Sequence, residues 1–180
     1  MTTVEDAVRA LEAIAPRRLA AEWDNVGLLI EGLRPIRRVG LCIDLTEPVW
    51  AELHAADVDL VIAYHPPIFT GLKRITARSP TGRVVAAVVR AGVHVYSPHT
   101  ALDCAADGMG DWLAAALGPL AACGPITPSA DDPRVGEGRF GTLAAPVSVD
   151  EAVVRIKAHL GLDGVRLAGH RDTIRTLAVC

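Results

Sequence analysis

The stretch that decides the fold is DLVIAYHPPIFTGLKRIT, from Asp59 to Thr76. It opens with an apolar run, Leu60 to Ala63, and breaks off at Tyr64-His65-Pro66-Pro67. A short apolar run without alternation is typical of a strand that is buried on both faces of a sheet. The two prolines end such a strand and stiffen the backbone just past the histidine. The stretch therefore predicts a buried strand with an imidazole held at its carboxyl end.

Two similar apolar runs lie on either side of it, at Val39–Asp44 and Val93–Ser97. Helical patterns separate the three runs: one follows Thr46, which can cap it, and another begins at Ser79-Pro80 and ends at Gly92. Strands that are each followed by a helix predict βαβ units. We therefore expect an α/β fold with a parallel or mixed sheet and helices on both of its faces.

The composition changes after the third of these units. The segment at 118–138 is rich in proline and glycine and has no hydrophobic periodicity, so it resembles a domain boundary. We predict a metal-binding α/β lobe at residues 1–120, a linker at 121–135, and a second, smaller α/β lobe at 136–180.

The second lobe is predicted to contain one helix and three strands. The helix begins at Ser148, with Glu151 completing a capping box. The strands lie near Phe140–Ala144, Val165–Ala168 and Ile174–Val179. Because the chain stops inside the last predicted strand, we expect this lobe to be incomplete and the 180 residues to be part of a longer protein.

Composition and charge exclude several classes of partner. Hydrophobic residues make up 51% of the 180 residues and the mean hydropathy is +0.31, so a sizeable core is expected. The net charge of −3 and the absence of a basic block give nucleic-acid binding no electrostatic support. No apolar run approaches the roughly 18 residues of a membrane helix, and the acidic start lacks the basic region of a signal peptide. We expect a cytoplasmic protein without a membrane partner.

Potential metal ligands follow the three predicted strands of the first lobe. The first strand ends at Asp44, the second at His65, and the third just before His99. The carboxyl ends of parallel strands meet at one edge of a sheet, where open α/β folds bind their ligands. Asp103 follows His99 by four residues, so a helical turn would place both on one face. Imidazole and carboxylate suit Zn, Fe or Mn, and a bridging carboxylate can serve two ions. We predict that His65, His99 and Asp103 bind metal.

Simpler roles remain open for the neighbouring residues. A single histidine at a strand end is usually structural, and the company of a second histidine and a carboxylate is what favours a functional role for His65. Asp44 can instead cap the next helix. Tyr64 is either a hydrogen-bond donor behind the ligands or simply a β-forming residue at the end of its strand.

Two further segments are candidates for supporting the ligands or contacting a substrate. Trp23, Asp24 and Asn25 can form a capped turn, or the indole can line a pocket. Lys73 and Arg74 follow the Pro-Pro pair and either belong to a solvated loop or bind an anionic substrate.

Four blocks of the sequence together resemble a known family. They are EWDNVGLLIEG, DLVIAYHPPIFTGLKRIT, GVHVYSPHTALDCAADGMGDWLAAALG and GEGRFGTL, and they span about Glu22 to Leu143. The chain resembles the Nif-three-like dinuclear metal-centre family, whose bacterial members carry the name GTP cyclohydrolase 1 type 2 homologue. The resemblance implies two α/β lobes assembled as a toroidal homohexamer, with a pair of divalent metal ions in a cleft.

The resemblance also implies roles for individual residues. His99 and Asp103 match the family pattern S-x-H-T-x-x-D and are implied ligands, with Asp103 as the bridge. The family has His-His at the end of the second strand, where this chain has Tyr64-His65, so only His65 is carried over. Family members continue past the position of Cys180, and a later His and Glu complete their site. The resemblance thus implies two ions per subunit, Zn, Fe or Mn, in the full-length protein.

The function expected from these observations is metal-dependent hydrolysis of a nucleotide or a phosphoester-like small molecule. The ions would act as Lewis acids, and no catalytic residue is identified beyond the ligands. The alternative is a non-enzymatic metal-binding scaffold or protein-interaction module. A third possibility is a plain α/β domain whose histidines are structural.

Overall fold

The computed structural model describes residues 2–180, which form two compact units. The first unit extends to Leu102, and the second runs from Asp103 to Cys180. Both combine helices with sheets, which confirms the predicted α/β class. Within residues 2–180, no helix combines the length and the apolar character needed to cross a bilayer.

The first unit is built on a four-stranded sheet with three helices packed against it. Its elements are α1 (Val4–Ile14), β1 (Gly27–Ile30), β2 (Val39–Cys42), α2 (Glu47–Ala55), β3 (Leu60–Ala63), α3 (Pro80–Ala91) and β4 (His94–Ser97). A 3₁₀ turn covers Arg17–Leu19, and helix α4 (His99–Cys104) contains the boundary between the units.

The sheet has the strand order β1-β4-β3-β2 and is mixed. β2, β3 and β4 are parallel, as predicted, whereas β1 pairs antiparallel with β4. β1 was missed by the sequence analysis, which assigned the preceding Trp23, Asp24 and Asn25 to a possible turn. β1 begins at Gly27, and the apolar run Leu28–Ile30 is too short to give a clear strand signal.

Alternate residues of the central strands face opposite layers, as the two-residue period of a strand requires. Val61 and Ala63 pack with α2 and α3, in a core that includes Trp50 and Val88. Leu60 and Ile62 pack on the other face with Tyr96 and the apolar side of α1. Helices therefore cover both faces of this sheet, as the uninterrupted apolar runs predicted.

Local contacts set the helix ends of the first unit, and those predicted at Ser79 and Gly92 are confirmed. Thr3 and Asp6 exchange hydrogen bonds of 3.2 Å between side chain and backbone at the start of α1. Ser79 accepts a bond from the Gly82 N–H at the start of α3. Gly92 ends α3 in the left-handed region, with a φ of 66°, where a side chain would be strained.

The second unit contains two small antiparallel sheets and two helices. Its elements are α5 (Met109–Ala114), a 3₁₀ turn (Ala115–Leu117), β5 (Leu120–Gly124), β6 (Thr127–Pro128), β7 (Gly136–Glu137), β8 (Arg139–Ser148), α6 (Val149–Leu160) and β9 (Thr173–Val179). The larger sheet has the order β5-β8-β9, and the smaller pairs β6 with β7.

Two parts of this unit differ from the sequence prediction. Most of β5 and all of β6 lie within the segment predicted as a linker, 121–135, and the compact units divide at Leu102 and Asp103. Short edge strands tolerate proline and carry little periodicity, so the composition concealed them. The strand predicted at Val165–Ala168 is absent from the described structure, where 163–172 contains no helix or strand. By contrast, α6 begins at the predicted Ser148 cap, and β9 matches the predicted last strand.

Arg139 organises the interior of the second unit. It is 1% exposed, and its guanidinium makes two bonds to the Asp111 carboxylate, of 2.6 and 2.8 Å. Its remaining N–H groups donate to the carbonyls of Gly136, Gly138 and Ala105. A buried charge with every donor paired in this way ties β8 to α5.

Candidate metal site

His65 and His99 come together beyond the carboxyl ends of β3 and β4, as the parallel topology predicted. The backbone N–H of His65 donates to the Ile43 carbonyl at 3.0 Å, which extends the pairing of β2 and β3 past the end of the strand. The two imidazole centroids are 5.4 Å apart and the rings are nearly perpendicular, at 87°. The first unit therefore holds two imidazoles at one edge of its sheet.

The His65 imidazole is paired with Asp44. Its Nδ1 lies 2.8 Å from Oδ1 of the carboxylate, and both side chains are substantially exposed, at 48% and 65%. Thr46, rather than Asp44, occupies the N-cap position of α2. Of the two roles that the sequence left open for Asp44, the structure therefore favours contact with the histidine.

The His99 imidazole is paired with Asp24, in a much drier setting. Its Nδ1 lies 2.8 and 2.9 Å from the two carboxylate oxygens. The Asp24 side chain is 0% exposed and that of His99 is 17% exposed. The carboxylate also accepts the backbone N–H groups of Asn25, at 2.7 Å, and Thr100, at 3.2 Å, together with the Thr100 hydroxyl.

These contacts determine the ionisation of Asp24. Burial favours the neutral acid, but hydrogen bonds from Thr100, His99 and Asn25 outweigh it and hold the pKa of the carboxyl below its usual value. Asp24 is therefore a carboxylate at neutral pH. A permanent negative charge behind the imidazole favours the tautomer in which Nδ1 carries the proton.

The backbone of His99 is strained. Its φ is +31°, a value that residues other than glycine seldom adopt, at the point where β4 turns into α4. The neighbouring Thr100 and the histidine ring itself are both bonded to Asp24, and these bonds hold the turn in place. Strain of this kind collects at functional sites, where the surrounding structure fixes the side chain in one orientation.

Both pairs have the chemistry of metal-binding histidines. A neutral imidazole that donates its Nδ1 proton to a carboxylate presents Nε2 as a lone-pair donor. Histidines that bind metals almost always make this second hydrogen bond, which fixes the ring and raises its basicity. The two rings therefore fit a divalent transition metal, with Asp44 and Asp24 supporting them from behind.

Aromatic rings surround the two histidines within the first unit. The Tyr64 ring lies 5.3 Å from that of His65 and 5.9 Å from that of His99, between centroids. The Trp23 ring lies 6.3 Å from that of His99. Asn25 donates from its side chain to the Ile68 carbonyl at 2.6 Å, which ties the Trp23 segment to the loop after His65.

The remaining predicted residues are Asp103, Lys73 and Arg74. Asp103 is on α4 with His99 and is the first residue of the second unit, and its role as a ligand stays a prediction. Lys73 and Arg74 are exposed in the loop that follows Phe69. Across residues 2–180, no group of three or more His, Cys, Asp and Glu side chains is arranged to hold a metal ion. The structure thus brings together two imidazoles, each backed by a carboxylate.

Three residues of the site were not singled out from the sequence. Thr100 bonds Asp24, Phe69 packs against Trp23, and the Ser97 hydroxyl donates to the Tyr64 carbonyl at 2.9 Å. Thr100 directly follows His99, so its position beside a predicted ligand was an available signal. Ser97 begins the S-x-H-T-x-x-D pattern and so also had a local signal, whereas Phe69 offered none because its partner Trp23 is distant in the sequence.

A cavity of about 460 Å³ opens beside His65. Asp44 and His65 line one side, and Pro66, Pro67 and Phe69 line another. A larger cavity, of about 640 Å³, belongs to the second unit at the start of α6 and contains neither histidine pair. The smaller cavity is therefore the one that the chemistry of the site favours.

Comparison with known proteins gives a consistent family match. The family described as Duf34/NIF3 (NGG1p interacting factor 3) matches residues 2–180. NIF3-like protein 1 of Drosophila melanogaster is 38% identical over 182 residues, covering 96% of this chain and 61% of the relative. The GTP cyclohydrolase 1 type 2 homolog of Streptomyces coelicolor is 32% identical, covering 99% of this chain and 65% of the relative. The chain thus spans less than two thirds of the length of either protein.

Solved structures share the fold. A Bacillus cereus protein related to NIF3 superposes with a TM-score of 0.84 at 20% identity, over 97% of this chain and 75% of that one. A hypothetical protein of Staphylococcus aureus superposes with a TM-score of 0.85 at 21% identity, over 98% of this chain and 71% of that one. At these identities the likeness concerns the fold alone.

Proposed function

The chain belongs to the Duf34/NIF3 family, and we propose that it is a divalent-metal-binding hydrolase whose metal is held by His65 and His99. The observation that carries the proposal is the pair of imidazoles, 5.4 Å apart at adjacent strand ends, each with Nδ1 bonded to an aspartate. Asp103 is the expected third ligand, on the sequence pattern alone. A bound divalent ion would supply Lewis-acid activation of the substrate.

The protein's own residues prepare the site for this chemistry. Asp44 and Asp24 accept hydrogen bonds from the Nδ1–H groups and so direct Nε2 of each ring away from its carboxylate. Their negative charges favour a cation at the imidazoles. The buried Asp24 and its partners fix the orientation of His99, so that its ring needs no rearrangement when a ligand arrives.

The proposed substrate is a nucleotide or a phosphoester-like small molecule. Relatives from Bacillus subtilis and Streptomyces coelicolor carry the name GTP cyclohydrolase 1 type 2 homolog, which supports hydrolytic chemistry on a nucleotide. The exposed cations Lys73 and Arg74 follow Phe69, which lines the cavity next to His65, and can attract an anionic substrate.

Metal titration and turnover assays test the proposal together. The 180-residue chain should bind no more than one divalent ion per subunit when titrated with Zn²⁺ or Mn²⁺ under calorimetry, because it offers few ligands to offset the repulsion between two ions. His65→Ala and His99→Ala should each remove that binding. His170→Ala, at an exposed position of the second unit, is the matched control and should leave it unchanged.

The hydrolase part is tested by release of phosphate or base-derived product from GTP and from a generic phosphomonoester. Turnover that needs metal and both histidines supports it. Metal binding without turnover of any phosphoester would favour the non-enzymatic scaffold instead. Metal binding that survives loss of both histidines would contradict the site itself.

We also propose a homo-oligomer, hexameric by the family resemblance, in the cytoplasm. All four cysteines are free thiols, as is usual in a reducing compartment. Light scattering coupled to size-exclusion chromatography gives the subunit number, and a strictly monomeric chain at micromolar concentration would contradict the assembly.

A further inference from the structure

Two exposed aromatic rings meet beside the histidine pairs. Trp23 is 64% exposed and Phe69 is 49% exposed, and their centroids are 6.0 Å apart with an angle of 56° between the ring planes. We call these two residues the aromatic corner. Large aromatic side chains are costly to leave in water, and a pair of them at the rim of a polar site is a recognition feature rather than part of a core.

The aromatic corner is held by the same contacts that hold the histidines. Trp23 directly precedes the buried Asp24, and Phe69 directly follows Ile68, whose carbonyl accepts the 2.6 Å bond from the Asn25 side chain. The two backbone segments are therefore tied to each other and to His99. Because the backbone on which the rings are carried is already ordered, less conformational entropy is lost when a ligand stacks on them.

The corner lies next to both imidazoles. The Trp23 ring meets that of His99 at 75°, with 6.3 Å between centroids, and Phe69 lines the 460 Å³ cavity together with His65. Pro66 and Pro67 give that cavity a rigid apolar wall. A planar group that rests on the Trp23 ring would therefore lie beside the His99 imidazole.

We propose that the aromatic corner stacks on a heteroaromatic ring of the substrate, of the nucleobase class, and so presents its reacting group to the two histidines. The inference rests on the proposed function, because it supplies the recognition part of that substrate. Such a planar ring can stack on the exposed Trp23 and Phe69 rings and pack against the apolar wall of the cavity. A cationic group is disfavoured, because it would be repelled by a metal ion at the histidines.

Calorimetric binding of GMP, of AMP and of ribose 5-phosphate to the 180-residue chain tests this inference without turnover. Both nucleotides should bind more tightly than the sugar phosphate, which lacks a ring to stack. Trp23→Ala should weaken nucleotide binding by about 10- to 100-fold, the range expected for loss of one base–aromatic stack. Trp23→Phe should retain most of the affinity, and Phe69→Leu should weaken it to a smaller extent.

Trp112→Ala is the matched control, since that residue is also exposed but packs against His159 in the second unit. It should leave nucleotide binding unchanged. Failure of either nucleotide to bind, equal affinity for ribose 5-phosphate, or an unchanged Trp23→Ala variant would overturn the inference. Trp23-dependent binding of GMP by a protein that hydrolyses neither GTP nor a phosphomonoester would uphold it while refuting the proposed hydrolase. Hydrolysis of GTP at an unchanged rate in Trp23→Ala would support the hydrolase and contradict the stacking inference.

Discussion

The two aspartate–histidine pairs have the same shortest Nδ1–carboxylate distance, 2.8 Å, but very different surroundings. The Asp24–His99 pair is almost wholly buried, whereas both members of the Asp44–His65 pair are about half exposed or more. A buried carboxylate must be fully paired, while an exposed one can exchange its partners with water. The first pair is therefore part of the fold, and the second is free to respond to a ligand.

The contacts of each aspartate show the same contrast. Asp24 joins segments that lie 75 residues apart in the chain and serves Thr100 and Asn25 as well as His99. The recorded side-chain contact of Asp44 is with His65, 21 residues away. An aspartate–histidine pair thus stabilises the fold in one place and supports an exposed histidine in the other. Conservative substitutions of the two aspartates can distinguish these roles.

The largest effect is expected from Asp24→Asn. The amide cannot accept all the bonds that the carboxylate accepts, and it places N–H groups against the donors of His99 and Thr100. We expect the free energy of unfolding to fall by about 1.5–3 kcal/mol, the range for loss of a hydrogen bond to a charged group. Urea denaturation of metal-free protein at pH 7 measures it.

Asp44→Asn is the matched control for that measurement. Its side chain is 65% exposed, so the free energy of unfolding should change by no more than about 0.5 kcal/mol. Equal destabilisation by the two substitutions would remove the distinction between a structural pair and an adaptable pair.

Much of the first unit follows from local sequence signals. The Thr3–Asp6 capping box, the Gly92 stop and the apolar runs of β2, β3 and β4 are each decided within a few residues, and the parallel pairing follows from the helices between them. The sequence analysis did not predict β1, because its pairing with β4 is long-range and its apolar run is short. The second unit was harder to predict, since the two-residue strands β6 and β7 have no periodicity to detect.

The candidate site likewise contains some features that the sequence predicts and others that it does not. The positions of His65 and His99 followed from a topological rule, that parallel strands end at one edge. Asp24 and Asp44 were named as neighbours of the site, but which histidine each would contact depends on tertiary geometry. Only one residue of the aromatic corner could be identified from the sequence. Trp23 stands in a recognisable turn, whereas nothing local marks Phe69 as its partner.

A smaller effect, confined to metal affinity, is expected from substitution in the exposed Asp44–His65 pair. Asp44→Asn leaves His65 in place but removes the carboxylate that favours the Nδ1-protonated tautomer. We expect the affinity for Zn²⁺ to fall by about 10- to 100-fold, as is typical when the hydrogen-bond partner of a ligating histidine is lost. Competition with a chromogenic chelator measures it, and stability serves as the internal control. An unchanged affinity would mean that the Asp44 carboxylate does not support His65 as a ligand.

The smallest effect should come from Tyr64, whose ring contacts the histidines of both pairs. A phenol ionises near pH 10 and is a poor ligand beside imidazole at neutral pH, so Tyr64→Phe should leave the number of bound ions unchanged. The phenylalanine keeps the ring beside both imidazoles, whereas Tyr64→Ala removes it and should loosen both. Elemental analysis of the two variants makes the comparison. Loss of a metal equivalent in Tyr64→Phe would show that the phenol oxygen binds metal directly. The metal would then depend on Tyr64 as well as on the exposed Asp44–His65 pair.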